Sequence, residues 1–380
     1  MSFIYLDNNA GAGLAPGVLD AMLPYLQQQQ GNPSSSHRFG RYARAALDKA
    51  RQQVARLVNV QPSQVIFTSG GTEANNQAIA GMAERYEHGK ILLSAIEHPA
   101  MLEPARRLQQ QGFELELIPV DDNGRIEAET LAAMIDSDTR LVSVMWANNE
   151  TGVIQDIPAL ATICRDKGVL MLTDAVQAAG KLPLDMSGAG VDMLTLSAHK
   201  FGGPKGTGAL IVSPSLDWPG YILGGGQEDN KRSGTENVAA IVGFGAAAEF
   251  VQSQIEDYQE HCRQLRDRLE SHLKQIPGIT IFAEEADRLT NTSFFALQGF
   301  DSDTMLMALD KQGFAVSSGS ACGTGRQTPS HVLTAMGVEP AIALGAVRVS
   351  VSMQNTVEDI DALAAVLKKE ADRFSHLLNR

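Results

Sequence analysis

The sequence contains few cysteines, and they lie far apart. Its 380 residues include three, at positions 164, 262 and 322. An odd number of widely spaced cysteines argues against the disulfide framework of a secreted domain and favours a reducing compartment. We therefore expect a cytoplasmic protein.

Long apolar runs and clusters of basic residues are also missing. The longest apolar run, residues 238–248, is too short to cross a bilayer, which requires about 20 residues. The N-terminal stretch MSFIYLDNNAG lacks the basic and apolar regions of a signal peptide. The formal net charge is −13, and no run of Lys and Arg occurs, so neither nucleic acid nor a membrane is an expected partner.

Short apolar runs alternate with helical patterns between about residues 15 and 250, which predicts a parallel sheet covered by helices. The runs that read as strands are residues 64–69, 90–95, 141–147, 169–175, 192–198 and 208–213. Four shorter runs follow, GITIFA, NTSFFAL, FAVSSGS and AVRVSVS, and they indicate a smaller α+β unit. We predict a large domain over residues 15–255 and a small domain formed by 256–380 together with 1–14.

Polar groups follow five of the predicted strands at the point where each strand ends. In open α/β sheets, ligands bind beyond the carboxyl ends of the strands, so these groups should meet at one edge. An alternative is that they only cap helices and form turns. The groups are Gly70-Gly71-Thr72, Glu97-His98, Asn148-Asn149-Glu150, Asp174 with Gln177, and Ser197 to Lys200.

Two of these groups suggest a specific chemistry. The stretch TSGGTEANNQAI reads as strand, glycine turn and helix, and a helix N-terminus after glycines suits a phosphate. Lys200 follows an apolar strand, and a lysine of lowered pKa there can act as a Schiff-base amine, although a solvated loop lysine is the alternative. A Schiff-base lysine with an aspartate at a pyridinium nitrogen, here Asp174, is typical of pyridoxal phosphate sites.

The three cysteines differ in their sequence surroundings. Cys164 stands at helical spacing from apolar neighbours, Leu160 and Ile163, which indicates a core thiol. Cys322 lies in SSGSACGTGR, among small and polar residues, which favours an accessible and reactive thiol. Cys262 belongs to an apolar stripe predicted to lie on one helix: Val251, Ile255, Tyr258, Cys262, Leu265, Leu269, Leu273 and Ile276.

Motifs along nearly the whole chain resemble those of one family. They include YLDNNA, NPSSSHRFG, FTSGGTEANN, EHPA, NNETG, TDAVQAAGKLPLD, SAHKFGGPKGTGAL, GGGQE, RSGTEN, SGSAC, PSHVLTAMG and VRVSVS. The set is similar to the cysteine desulfurases of the NifS/IscS type, within the class V aminotransferases. That resemblance implies the α/β fold-type I of pyridoxal 5′-phosphate enzymes, with a mostly parallel seven-stranded sheet. It also implies conversion of L-cysteine to L-alanine, with the sulfur passing to Cys322 as a persulfide.

The resemblance assigns further roles to the matching positions and assigns no metal site. Lys200 would hold the cofactor and move the substrate proton, and His98 would stack on the cofactor ring and help move protons. Asn149 and Arg348 would bind the substrate carboxylate. The cofactor-binding set would be Gly71, Thr72, His98, Asn149, Asp174, Gln177, Ser197, His199, Lys200 and Thr235, with Thr235 reaching the site of a neighbouring subunit.

A homodimer and a sulfur-acceptor protein are the implied partners. The acceptor would be a protein such as an iron–sulfur scaffold. Family members that bind this scaffold protein carry a longer C-terminal tail, whereas this sequence ends at Arg380. A second departure is Gly11-Ala12-Gly13, where the family usually has Thr-Thr-Pro. Two alternatives remain: a selenocysteine or β-eliminating lyase on the same fold, and a cofactor-binding assembly partner with little turnover.

Overall fold

A computed structural model of the protein describes residues 3–318 and 328–378, with side chains described as far as residue 373. The strands are β1 (Ile4–Tyr5), β2 (Val65–Thr68), β3 (Lys90–Ser94), β4 (Glu114–Ile118), β5 (Thr139–Ser143), β6 (Leu170–Asp174), β7 (Met193–Ser197), β8 (Gly208–Val212), β9 (Ile279–Ile281), β10 (Thr292–Leu297), β11 (Phe314–Ala315), β12 (Ser317–Ser318) and β13 (Ala346–Ser350).

Thirteen α-helices accompany these strands in the described part of the chain. They are α1 (Val18–Gln27), α2 (Arg38–Leu57), α3 (Gly71–Arg85), α4 (Pro99–Gln109), α5 (Ala128–Met134), α6 (Ile157–Asp166), α7 (Met186–Ala189), α8 (Val238–Gln252), α9 (Ile255–Leu273), α10 (Ser302–Lys311), α11 (His331–Ala335), α12 (Pro340–Ala343) and α13 (Val357–Leu378).

The largest sheet has seven strands in the order β2-β8-β7-β6-β5-β3-β4. Strand β8 runs antiparallel to both of its neighbours, and the remaining pairs are parallel. This mostly parallel seven-stranded sheet confirms the predicted α/β fold class. One of its strands, β4, was not among the apolar runs, because it is an edge strand of sequence ELELI whose glutamates are not buried.

Two apolar clusters cover the two faces of this sheet. Adjacent residues of β3 belong to different clusters, with Leu92 on one face and Ile91 and Leu93 on the other. All three are fully buried. Such strands read as continuous apolar runs because both faces of a parallel sheet are covered by helices.

A third cluster lies between the four-stranded antiparallel sheet, β12-β13-β10-β9, and helices α9, α10 and α13. The N-terminal segment joins this unit, since β1 pairs with β11 and Leu6 is fully buried in the same cluster. The division at residues 255–256 stays a prediction, and these separate clusters support it.

The chain bends by 74° between α8 and α9. Within the described residues no single helix is long and apolar enough to cross a membrane. Taken together, the bent pair α8 and α9 reaches the required length and apolar composition, and nothing beyond length and composition suggests a span. The prediction that one helix carries the whole apolar stripe is therefore wrong for Val251, which lies on α8 and packs on a core cluster of the seven-stranded sheet. Cys262 lies on α9, and both it and Cys164 are buried free thiols.

Candidate active site

The strand ends that carry polar groups meet around one cavity of about 650 Å³. It is bounded by residues that follow β2, β3, β5, β6 and β7 and by one arginine of β13. Ten of the predicted site residues line it: Gly71, Thr72, His98, Asn149, Asp174, Gln177, Ser197, His199, Lys200 and Arg348.

The start of α3 forms one wall of the cavity. A Cβ atom at Gly71 would lie 2.8 Å from Cγ2 of Val176, so only glycine allows this close approach of the helix to the loop after β6. The free backbone N–H groups of the first helical turn, with the Thr72 side chain, face the same space as Ser197 and His199. Together they form an arrangement suited to an anion such as a phosphate.

Lys200 ends the short 3₁₀ turn Ala198–Lys200 that follows β7. Its Nζ donates to the backbone oxygens of Asn9 at 2.6 Å and Ala10 at 3.2 Å. Burial and then the Arg348 guanidinium lower the pKa of Lys200 to about 8. At that pKa a useful fraction of the amine is unprotonated near neutral pH, as nucleophilic attack and proton abstraction both require.

Asp174 is the last residue of β6, and its side chain is buried at the cavity wall. Its Oδ2 accepts a hydrogen bond from Nδ2 of Asn75 at 2.8 Å, and its Oδ1 accepts one from the backbone N–H of Val176 at 2.9 Å. These donors fix the carboxylate while leaving the cavity side open to a cationic group. Burial and then Asp174 raise the pKa of the neighbouring Glu97 well above the ordinary value.

Two histidines of the cavity are held as neutral imidazoles. The Nδ1 atom of His98 accepts the backbone N–H of Ala100 at 3.0 Å, so its ring proton lies on Nε2. Burial lowers the pKa of His98, and Lys200 adds to the effect. The Nδ1 atom of His199 lies 2.9 Å from Oγ of Ser197, and burial followed by Lys200 and Lys205 lowers its pKa to about 4.

Arg348 projects from β13 to the other side of the cavity. Its Nη2 donates to Oδ1 of Asp7 at 2.6 Å, and its Nη1 donates to the backbone oxygen of Asn149 at 2.9 Å. The buried Nε of Arg348 has no hydrogen-bond partner among the described residues. The guanidinium is fixed by its contacts to Asp7 and Asn149 and lines the cavity, so its positive charge suits a carboxylate ligand.

Among the predicted site residues that the structure describes, Thr235 does not line this cavity. Thr235 lines a separate cavity of about 250 Å³, which shares only Ser69 and Gly206 with the first. Cys322 lies outside the described residues, so its role stays a prediction. The Gly11-Ala12-Gly13 segment is docked beside the site, with the Ala12 N–H donating to the backbone oxygen of His199 at 2.8 Å.

Sequence reasoning missed several residues that organise the cavity. Asn75, which holds Asp174, stands four residues after Gly71, so helical spacing in the quoted glycine motif could have indicated it. Lys181 stands four residues after Gln177 and binds it. Asn9 lies within the quoted YLDNNA motif, but its partners are far away in sequence and no local pattern indicates them.

Comparison with known proteins gives consistent matches over most of the chain. The class-V aminotransferase family model matches residues 4–363. A cysteine desulfurase of Cereibacter sphaeroides is 43% identical over 381 residues, which cover 99% of this chain and 98% of that protein. A solved structure of a NifS-like protein has a TM-score of 0.92 and 36% identity, covering 97% of this chain and 99% of the other. A structure of SspA in complex with cysteine has a TM-score of 0.81 and 32% identity, covering 91% and 98%.

Proposed function

The chain belongs to the class-V aminotransferase family and is a cysteine desulfurase of the NifS type, and on this premise we propose how its own residues carry the reaction. The substrate is L-cysteine, the products are L-alanine and a persulfide on Cys322, and the cofactor is pyridoxal 5′-phosphate. The observation that carries the proposal is the partly buried Lys200, of lowered pKa, in one cavity with Asp174 and the helix start suited to an anion.

The residues present fit pyridoxal phosphate. The N–H groups at the start of α3 would bind the phosphate, and the side chains of Thr72, Ser197 and His199 line the same part of the cavity. The fixed Asp174 carboxylate suits a protonated ring nitrogen, and the amide of Gln177 suits the phenolic oxygen. His98 would lie against the ring. When bound, the cofactor supplies a carbonyl that captures the substrate amine and a ring that accepts an electron pair.

Lys200 would have two roles in this site. Its amine would attach the cofactor in the resting enzyme, and once released it would take the proton from Cα of cysteine. The lowered pKa serves both roles, since a lysine at its ordinary pKa of 10.5 is almost fully protonated near neutral pH. The Nε2–H of the neutral His98 would assist proton movement.

Arg348 and Asn149 would hold the substrate carboxylate. The place of Arg348 at the cavity wall supports this, because its contacts to Asp7 and to the Asn149 backbone fix the plane of the guanidinium. A fixed carboxylate orients Cα toward Lys200 and Cβ–S toward an incoming thiolate.

Cys322 would accept the sulfur. Its thiolate attacks the sulfur of the substrate, a S–S bond forms and the Cβ–S bond breaks, with the electron pair left on the substrate carbon. Proton transfer to that carbon completes L-alanine, so one cysteine and one enzyme thiol become alanine and one enzyme persulfide. We further propose that the persulfide sulfur passes to an acceptor protein, such as an iron–sulfur scaffold.

A homodimer would complete the site. Large apolar side chains are exposed on α1 and on the loop before Thr235, with Leu26 at 61% and Leu223 at 81% exposure. Exposed apolar patches of this kind favour a protein partner, and a second copy would place Thr235 at its neighbour's phosphate. Size-exclusion chromatography with light scattering should give twice the mass of one chain, and a monomeric mass would overturn the proposed homodimer.

A cytoplasmic location is likewise proposed, supported by the free thiols Cys164 and Cys262.

The decisive experiment measures alanine release and enzyme-bound persulfide with L-cysteine. Wild type should form both, and Cys322→Ala should bind pyridoxal phosphate and L-cysteine yet form no persulfide. Release of sulfide or selenide at the wild-type rate by Cys322→Ala would instead establish the lyase alternative. Cofactor binding without turnover in the wild type would establish the assembly partner.

A further inference from the structure

Lys181 is a buried lysine that touches the candidate active site from outside its cavity. Its side chain is 4% exposed, and it is absent from the residues that line the cavity. Its Nζ donates to Oε1 of Gln177 and to Oδ1 of Asn9, both at 2.8 Å. Among the described residues no carboxylate forms an ion pair with it, so electrostatic pairing does not explain its burial.

These contacts determine the orientation of the Gln177 amide. A lysine amine in this position donates, so the amide atom that faces it is the oxygen. The amide nitrogen then points the other way and donates to the backbone oxygen of Asn9 at 2.9 Å. The same oxygen accepts the Lys200 Nζ at 2.6 Å, so the Gln177 donor lies on the side of the reactive lysine.

The same amine also fixes Asn9, and through Asn9 the rest of the cavity wall. Because Oδ1 of Asn9 accepts from Lys181, its Nδ2 must donate elsewhere, and it does so to the backbone oxygen of Asn149 at 3.2 Å and to Oγ1 of Thr292 at 2.9 Å. The Asn149 oxygen in turn accepts from Arg348. One amine outside the cavity is therefore connected, directly or through Asn9, to four residues that line it: Gln177, Asn9, Asn149 and Arg348.

The surroundings of Lys181 support a neutral amine. Burial, then Lys200, then Arg348 lower its pKa to about 7, and Cys262 acts weakly in the opposite direction. A neutral amine has two N–H donors, which match the two acceptors that the structure provides. Both the ammonium and the neutral amine can therefore donate to these two acceptors.

We propose that Lys181 is a positioning residue: it holds the Gln177 amide with its nitrogen toward Lys200, so that the cofactor meets a donor rather than an acceptor at its phenolic oxygen. The proposal rests on the proposed function, since it concerns how the pyridoxal phosphate site is set. Without Lys181 the Gln177 amide can rotate, and its oxygen would repel a phenolate.

The test compares Lys181→Met with Lys90→Met in the holoenzyme. Lys90 is a matched control because it is also a buried lysine, 5% exposed, but it lies at the far end of β3 and pairs with Asp136 and Glu116. Two quantities are measured: the affinity of the apoprotein for pyridoxal phosphate, and the pH midpoint of the visible absorption band of the bound cofactor.

Loss of a donor to the phenolic oxygen makes the unprotonated form less stable, so the midpoint should rise. We expect a rise of about one pH unit and a roughly tenfold loss of affinity in Lys181→Met, as for one hydrogen bond to a charged group. Lys90→Met should keep both values within about twofold of wild type. Lys181→Met values that match those of Lys90→Met would overturn the proposal.

A double-mutant cycle separates positioning from a simple change of charge. Gln177→Leu removes the donor itself and should raise the midpoint by about the same amount. If Lys181 acts through Gln177, the double variant Lys181→Met/Gln177→Leu shifts no further than Gln177→Leu alone. Additive shifts would mean that Lys181 acts by its charge, and the proposal would then be wrong.

Two further outcomes are distinguishable. If Lys181→Met does not fold, Lys181→Gln is measured in its place. The amide nitrogen of the introduced glutamine ends one bond short of the Nζ position, so it cannot make both contacts. An unshifted midpoint in this variant would again overturn the proposal. If wild-type protein with pyridoxal phosphate shows no visible band, the proposed function fails together with this inference. A normal wild-type band with an unaffected Lys181 variant refutes the inference alone.

Discussion

The two ends of the seven-stranded sheet each hold a lysine, buried at Lys90 and partly buried at Lys200, and the two lysines have opposite electrostatic surroundings. Lys90 begins β3, and its amine lies 2.6 Å from Asp136 and 3.7 Å from Glu116, whose carboxylates are exposed to solvent. The bond to Asp136 chiefly raises its pKa. Lys200 follows the end of β7, meets only backbone oxygens in its hydrogen bonds, and has a pKa lowered to about 8.

This difference teaches that burial alone does not mark a reactive lysine. What distinguishes Lys200 is that burial, followed by the Arg348 cation, lowers its pKa against the opposing Asp174 and Asp7, while its hydrogen-bond acceptors are neutral carbonyls. The surroundings of Lys90 thus keep its amine protonated, whereas those of Lys200 favour loss of the proton. The predictions below test this contrast, from the largest expected effect to the smallest.

The largest effect should come from Lys200→Met compared with Lys90→Met. Loss of the amine at the cavity should reduce alanine formation by about 10³-fold or more, because both nucleophile and base are removed. Lys90→Met should retain near-normal turnover. In the wild type, borohydride should attach the cofactor to Lys200, as peptide mapping would reveal. Attachment to Lys205, or an active Lys200→Met enzyme, would contradict the site assignment.

Cys322→Ala should come next, with persulfide formation lost and alanine formation reduced by about 10³-fold. Cys262→Ala is the matched control: it should cost ~1 kcal/mol of stability by leaving a small void, with little change in turnover. Burial raises the pKa of both Cys164 and Cys262 to about 12, so limited alkylation near neutral pH should label Cys322 first. First labelling at either core cysteine would argue against the mechanism.

Asp174→Asn should lower turnover by roughly 10²–10³-fold, since a fixed carboxylate facing the ring nitrogen would be replaced by a neutral amide. Asp136→Asn supplies the comparison at the far end of the sheet, where the carboxylate is exposed and its loss should leave the rate unchanged. Steady-state alanine release for both variants measures the difference. Similar rates in the two variants would remove the proposed role of Asp174.

The smallest effect concerns the pH dependence of apoprotein stability. The pKa of Lys200 is lower in the folded state, about 8, than its ordinary 10.5, so the unfolded chain binds more protons between these values. Its contribution therefore makes folding more favourable as pH rises from 8 to 10.5, by no more than about 1.4 kcal/mol per pH unit. Lys200→Met should flatten that rise in urea denaturation experiments.

Lys90 should contribute with the opposite sign, since its pKa is raised by its partners. Its stabilisation is present below the ordinary pKa and is lost as pH rises through the higher folded value. Lys90→Met should therefore be less stable than wild type at neutral pH, with the difference shrinking in strong alkali. Parallel pH profiles for the two lysine variants would show that their surroundings do not differ as described.

The sequence predicted the parts of this site that are set by position along a strand. Asp174 and Lys200 follow apolar runs, and the carboxyl ends of parallel strands share one edge, so their meeting could be expected. The run at residues 141–147 extends past the end of β5 at Ser143, although the backbone N–H groups of Val144 and Trp146 still donate to Leu172 and Asp174 of β6.

Other parts depend on contacts between distant segments, which no local pattern encodes. Lys181 resembles any lysine near a loop until Asn9 is packed against it, 172 residues away in the chain. Val251 fits the spacing of the following helix, and only the bend between α8 and α9 assigns it to the other core. The pKa values of Lys181 and Lys200 likewise follow from burial, which is a property of the completed fold.

The docking of Asn9 has a consequence for how the enzyme is made. Its backbone N–H donates to Oγ of Ser350, and its side chain binds Thr292 and Asn291. A ribosome releases the N-terminal residues first, so this segment must wait until the chain has been extended past residue 350. The large sheet can assemble earlier from its own neighbouring strands. The wall that Asn9 and Arg348 form around the cavity is therefore completed only after residue 350 has been made, later than the strands of the large sheet.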